Sequence, residues 1–92
     1  MIRTFRHRGL KRLFEAGERR GIGAGLVDKV ERILANLDAS VSPEGMGLPG
    51  YRLHALKGDR KGFWSVTVNA NRRVVFRFEG PDAFDVDLVD YH

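Results

Sequence analysis

Two stretches of the chain alternate apolar and polar residues with a period of two. Trp64, Val66 and Val68 form one, and Val74, Phe76 and Phe78 form the other. This period belongs to strands with one buried face. Two further stretches repeat at helical spacing. Leu10, Leu13 and Phe14 mark a helix over His7–Ala16, stopped by Gly17. Leu26, Val30, Ile33, Leu34 and Leu37 form the core-facing stripe of a second helix over Leu26–Leu37. Met1–Phe5 reads as a short first strand, Tyr51–Lys57 as a strand-like piece and Phe84–Val89 as a last strand. The segment SVSPEGMGLPG, residues 40–50, carries two prolines and three glycines and reads as the loop from helices to sheet.

The order β-α-α-β-β-β groups the helices before a run of hairpin strands. It predicts an α+β fold, with two N-terminal helices on one face of a small antiparallel sheet. Pairing Val68 with Val74 keeps both apolar triplets on the helix side, so the connection must hold an odd number of residues, three or five. The opposite face then carries Ser65, Thr67, Arg73, Val75 and Arg77. It has no second apolar layer and is expected to be open to solvent or a ligand.

Length and composition narrow the class. Ninety-two residues predict one domain, residues 1–92, with a thin two-layer core. The chain has no cysteine, which excludes disulfides and thiolate metal sites. His7, His54 and His92 show no ligand spacing, and no dinucleotide or Walker-type loop occurs, so neither a metal nor a cofactor is expected. No run approaches the ~18 apolar residues of a membrane span, and no leader pattern opens the chain. The expectation is a soluble cytoplasmic protein with no membrane partner. Sixteen Lys and Arg against twelve Asp and Glu give a net charge of +4. Seven of the basic residues lie in residues 1–20, beside two acids. Such an excess suits a polyanion or an acidic protein, and a well-solvated basic surface equally. Arg3, Arg6, Arg8, Lys11 and Arg12 accordingly read as a contact for RNA or for a protein.

Candidate chemistry gathers in the second half. His54 precedes LKGDRKG, residues 56–62, where Lys57, Arg60 and Lys61 surround a Gly-Asp turn. A basic loop of this kind holds phosphate by charge and by backbone N–H groups, and it is also ordinary turn chemistry. Arg72 and Arg73 read as a phosphate clamp or as strand-edge charges. Asp85 and Asp87 read as cross-strand partners for Arg77 or Arg73. Asp90, Tyr91 and His92 lie beyond the apolar alternation, where strand pairing does not account for them. Two histidines, a carboxylate, a tyrosine and several cations are the types that RNA cleavage by its own 2′-OH requires. A base takes the 2′ proton, an acid protonates the departing 5′ oxygen, and cations offset charge on the phosphoryl oxygens. Histidine, with an unperturbed pKa near 6.5, suits both proton roles.

The run LPGYRLHALKGDRKGFWSVTVNANRRVVFRFEGPDAFDVDLVDYH, residues 48–92, resembles the HigB toxins of the RelE/ParE superfamily, and MIRTFRHRGLKRLF resembles them more weakly. The resemblance implies a RelE-like fold and a bacterial type II toxin-antitoxin system. It implies a ribosome-dependent endoribonuclease that cuts mRNA in the ribosomal A site, leaving a 2′,3′-cyclic phosphate and a 5′-hydroxyl. The implied partners are the 70S ribosome, mRNA and a HigA-like helix-turn-helix antitoxin, with operator DNA reached only through the antitoxin complex. The family's functional positions match His54, Lys57, Arg73, Asp90, Tyr91 and His92. The family often carries glycine where this chain has Ala70. Lys57 and Arg73, aided by Arg60 and Lys61, are expected to hold phosphate. His92 is expected to act as acid, Asp90 or His54 to act as base or orient the 2′-OH, and Tyr91 to stack. The site is expected to form where the last residues gather beside Lys57 and Arg73. A ParE-like DNA gyrase inhibitor without RNA chemistry is the alternative, followed by a non-catalytic basic binding module.

Overall fold

The structure is a computed structural model that describes residues 1–90. Two helices, α1 (Arg8–Ala16) and α2 (Val27–Ala39), precede four strands, β1 (His54–Ala55), β2 (Trp64–Thr67), β3 (Arg72–Glu79) and β4 (Asp82–Asp90). The strands form one antiparallel sheet in the order β1-β2-β3-β4. Short 3₁₀ turns occupy Pro43–Met46 and Gly58–Arg60. No helix among the described residues is long and apolar enough to cross a membrane.

The apolar periodicities meet between helices and sheet. Leu10 and Leu13 of α1 and Val30, Ile33, Leu34 and Leu37 of α2 are buried in one cluster with Val66, Val74, Phe76 and Val86 of the sheet. His7 caps α1: its Nδ1 accepts from the Leu10 backbone N–H at 3.1 Å. Gly9 lets α1 lie against the connection to α2, because a Cβ there would stand 2.6 Å from the Gly21 carbonyl oxygen. The β3–β4 hairpin turns in two residues. Gly80, at φ 59°, takes the positive φ of the first, and Pro81 holds the second near about −65°.

Four expectations change. The first strand reduces to two isolated parallel bridges with β4, Ile2 to Ala83 and Phe5 to Val86. A bulge separates them. Two residues of β4, Asp85 and Val86, face Phe76 alone, and Asp85 sits at φ 55° with its N–H donated to Thr4 Oγ1 at 2.8 Å. The same bulge inverts the alternation of the last strand. Val86 and Leu88 remain on the helix side, but Phe84 pairs with Arg77 on the other face and lies beneath its guanidinium at 5.1 Å. The strand expected at 51–57 shrinks to His54–Ala55. Finally, Val74 faces Val66 rather than Val68; the connection is still odd, with three residues between Val68 and Arg72, whose carbonyl accepts from Val68 N–H at 2.9 Å. Asn69 Oδ1 accepts from the N–H groups of Asn71 and Arg72 at 2.9 and 2.8 Å, which draws the turn tight.

Candidate functional site

The sheet face away from the helices is built in cross-strand rows. The register places His54, Ser65, Val75 and Asp87 side by side across all four strands. The neighbouring row is Thr67, Arg73 and Val89. This face is less open than the sequence implies. Ser65 and Val75 are buried, and the Ser65 hydroxyl has no hydrogen-bond partner among the described residues. The basic loop accounts for part of that cover. It closes through Leu56 N–H to the Phe63 carbonyl at 2.9 Å, and Phe63 and Arg60 share a small cleft with Val75. Arg6 lies 5.3 Å from the centre of the Phe63 ring and reaches Asp85 at 3.9 Å, which ties the loop side of the face to the N-terminal segment.

The candidate residues separate into groups. His54, exposed on the edge strand, lines a cleft of about 340 Å³ with Arg52, Leu53 and Arg73. Arg73 is half-buried and donates from Nη1 to Thr67 Oγ1 at 3.1 Å, which fixes its guanidinium over the sheet. Lys57, Arg60 and Lys61 are exposed on the loop between β1 and β2, with Arg60 turned toward the Val75 side. Asp90 stands at the end of β4 opposite Arg72, whose Nε meets Asp90 Oδ1 at 2.6 Å. Tyr91 and His92 lie outside the described residues, so the gathering of the last residues beside Lys57 and Arg73 is not on view. The structure thus brings His54 and Arg73 together and hands Asp90 to Arg72.

Several cations elsewhere pair with acids. Arg3 pairs with Asp82, Arg19 with Asp28 and Glu31, and Arg77 with Asp85 and Glu79. The hydrogen bond that Arg77 donates to Asp85, and then the one it donates to Glu79, raise its pKa further above an already high value. Lys29 and Arg52 line a second cleft, of about 460 Å³, with Arg73, Thr67 and Asn69. Arg52 also stands at φ 51°, a conformation that costs a non-glycine residue on the order of 1 kcal/mol. Sequence reasoning passed over both residues. The backbone of Arg52 is dictated by its neighbours. The Tyr51 carbonyl accepts from Thr67 N–H at 2.7 Å, and Tyr51 and Leu53 both pack on the core, leaving Arg52 exposed between them.

A helical pair over a four-stranded antiparallel sheet, with a basic, histidine-bearing outer face, describes the RelE-like toxins. The family model for the RelE-like toxin of type II toxin-antitoxin system HigB matches residues 3–92, and the chain belongs to that family. Endoribonuclease HigB of Proteus vulgaris is 44% identical over 92 residues, covering 100% of both chains. Solved structures agree on the fold. A YoeB/ParE toxin from Agrobacterium tumefaciens superposes with TM-score 0.53 at 23% identity, over 76% of this chain and 77% of that one. A conserved hypothetical protein of Helicobacter pylori does so with TM-score 0.53 at 16% identity, over 97% and 91%. As a type II toxin, the chain has an antitoxin as its partner.

Proposed function

We propose that this toxin is an endoribonuclease that cuts mRNA in the ribosomal A site and so arrests translation. The observation that carries the reading is the meeting of His54 and Arg73 in one cleft on the outer sheet face, in a chain 44% identical to a protein named an endoribonuclease. The 2′-OH attacks the adjacent phosphorus as it loses its proton. The bond from phosphorus to the 5′ oxygen breaks, and that oxygen takes a proton, leaving a 2′,3′-cyclic phosphate and a 5′-hydroxyl. Arg73 and Lys57 hold the phosphoryl oxygens, with Arg60 and Lys61 alongside. His92 protonates the leaving oxygen, His54 or Asp90 receives or orients the 2′-OH, and Tyr91 stacks on a base. Arg72 holds Asp90 by Oδ1, so Oδ2 is the oxygen left for substrate.

The toxin acts in the cytoplasm with the ribosome. A HigA-like helix-turn-helix antitoxin neutralises it, and operator DNA is bound only through that complex. The gyrase-inhibitor alternative is not favoured, because the family match and the Proteus relative both point to the HigB toxins. Growth arrest by variants provides the test. His92→Ala and Asp90→Ala should each lose arrest, with cleavage down ~10²–10⁴-fold and antitoxin binding retained. Full toxicity in a chain that lacks residues 90–92 would overturn the assignment.

A further inference from the structure

Arg6 is fixed at its backbone and reaches out with its side chain. Its N–H is donated to the Val86 carbonyl at 2.8 Å, beside the Phe5–Val86 bridge. Its guanidinium carbon stands 5.3 Å from the centre of the Phe63 ring. Asp85 steers it there. The bulge holds Asp85 at φ 55° and sets its carboxylate between two arginines. Oδ2 accepts from Arg77 Nε at 2.7 Å, and Oδ1 faces Arg6 Nε at 3.9 Å. Re-aiming a side chain in this way is a common use of bulges beside active sites. Phe63, in turn, is the foot of the basic loop. Leu56 N–H and the Phe63 carbonyl close residues 57–62 at 2.9 Å. Inside the loop, Lys61 N–H meets the Gly58 carbonyl at 3.0 Å, and Phe63 N–H meets the Arg60 carbonyl at 2.9 Å. Gly58 at φ 67° and Gly62 at φ 95° flank its 3₁₀ turn, a conformation that glycine adopts freely. A loop bonded to itself between two glycines takes its position from whatever grips its foot. The cleft that Arg6 and Phe63 share with Arg60 and Val75 measures about 80 Å³. That is well below the ~300 Å³ at which ligand sites begin, so this corner grips the loop and not a substrate.

We propose that Arg6 is a positioning residue for the reaction: it latches the Phe63 ring, with Asp85 behind it, and so holds Lys57 where it meets the scissile phosphate. This rests on the endoribonuclease reading above and adds to it a residue of the N-terminal segment that acts through the loop rather than on RNA. Lys57 opens the same loop as the N-cap of its 3₁₀ turn, so a swing at the foot carries the ammonium group with it. Charge that develops on the phosphoryl oxygens is best stabilised by a cation already in place. The latch therefore acts on kcat more than on KM.

Arg6→Ala removes the cation of the latch, and Phe63→Leu removes its ring while keeping an apolar side chain. Both are measured in the full chain. Trypsin under native conditions reports on the loop, because Lys57, Arg60 and Lys61 are exposed cleavage points within it. Each variant should be nicked there about two- to fivefold faster, the change expected when one exposed cation–π contact is lost. In ribosome-dependent cleavage each should lower kcat by a similar factor of about two to five and leave KM within about twofold. The double variant should be no worse than either single one, because the two residues make one contact. Phe63→Tyr keeps the ring and should match the parent in both readouts. Losses that multiply in the double variant would overturn the latch. So would an Arg6→Ala that loses activity while Phe63→Leu matches the parent, which is the pattern of a direct contact between Arg6 and RNA. Faster nicking with parent-like kcat in both single variants would leave a structural contact only and overturn the positioning role. A parent that fails to cut translated message would overturn the nuclease instead, and the nicking rates would still decide whether the latch exists.

Discussion

The two faces of the sheet are made by alternate residues of the same strands, yet they obey different rules. On the helix side, Val66, Val74, Phe76 and Val86 bury apolar surface against α1 and α2, and each reinforces its neighbours. On the other side, His54, Ser65, Arg73 and Asp87 are polar, and the buried Ser65 hydroxyl finds no hydrogen-bond partner among the described residues. The first face holds the fold together. The second is held in place by it. Changes on the two faces should therefore separate stability from activity.

The largest expected effect on the helix side comes from Phe76→Ala. Phe76 is fully buried, and truncation should cost about 3–5 kcal/mol through lost burial and the cavity left behind. The denaturant midpoint would drop accordingly, and toxicity would fall only because the fold does. Gly9→Ala should cost less, about 1–3 kcal/mol, because α1 must back away from the Gly21 carbonyl. A neutral result in a melting experiment would show that the helix contact adjusts freely. Asp90→Ala marks the small end for stability. Its pair with Arg72 is largely exposed, so its loss should cost less than about 1 kcal/mol and fade with salt. The same change should abolish cleavage, and that contrast sharpens the division between the faces. A large loss of stability here would place Asp90 with the scaffold.

Much of the scaffold is legible in the sequence because its signals are local. The stripe Val30, Ile33, Leu34, Leu37 and the alternations around Val66 and Phe76 report the face that each residue occupies. Where neighbours in space decide the outcome, the sequence is silent. The bulge at Asp85 depends on Thr4, distant in sequence, and it turned Phe84 to the other face. The three-residue turn at Asn69 was within reach, since asparagine closing on the next backbone N–H groups is a local signal. For the site, motif resemblance marked His54 and Arg73, which do share a cleft. The strained backbone of Arg52 was not legible, because it follows from how Tyr51 and Leu53 pack on the core, which a residue string does not display.

The central claim is that the outer face cuts message on the ribosome. The most direct measurement is primer extension on mRNA from cells expressing the toxin, combined with analysis of the new ends. The expected result is breaks in register with codons, carrying 2′,3′-cyclic phosphate and 5′-hydroxyl termini, which vanish in a folded Arg73→Ala variant. Growth arrest with unbroken message, or breaks that persist unchanged in that variant, would contradict it.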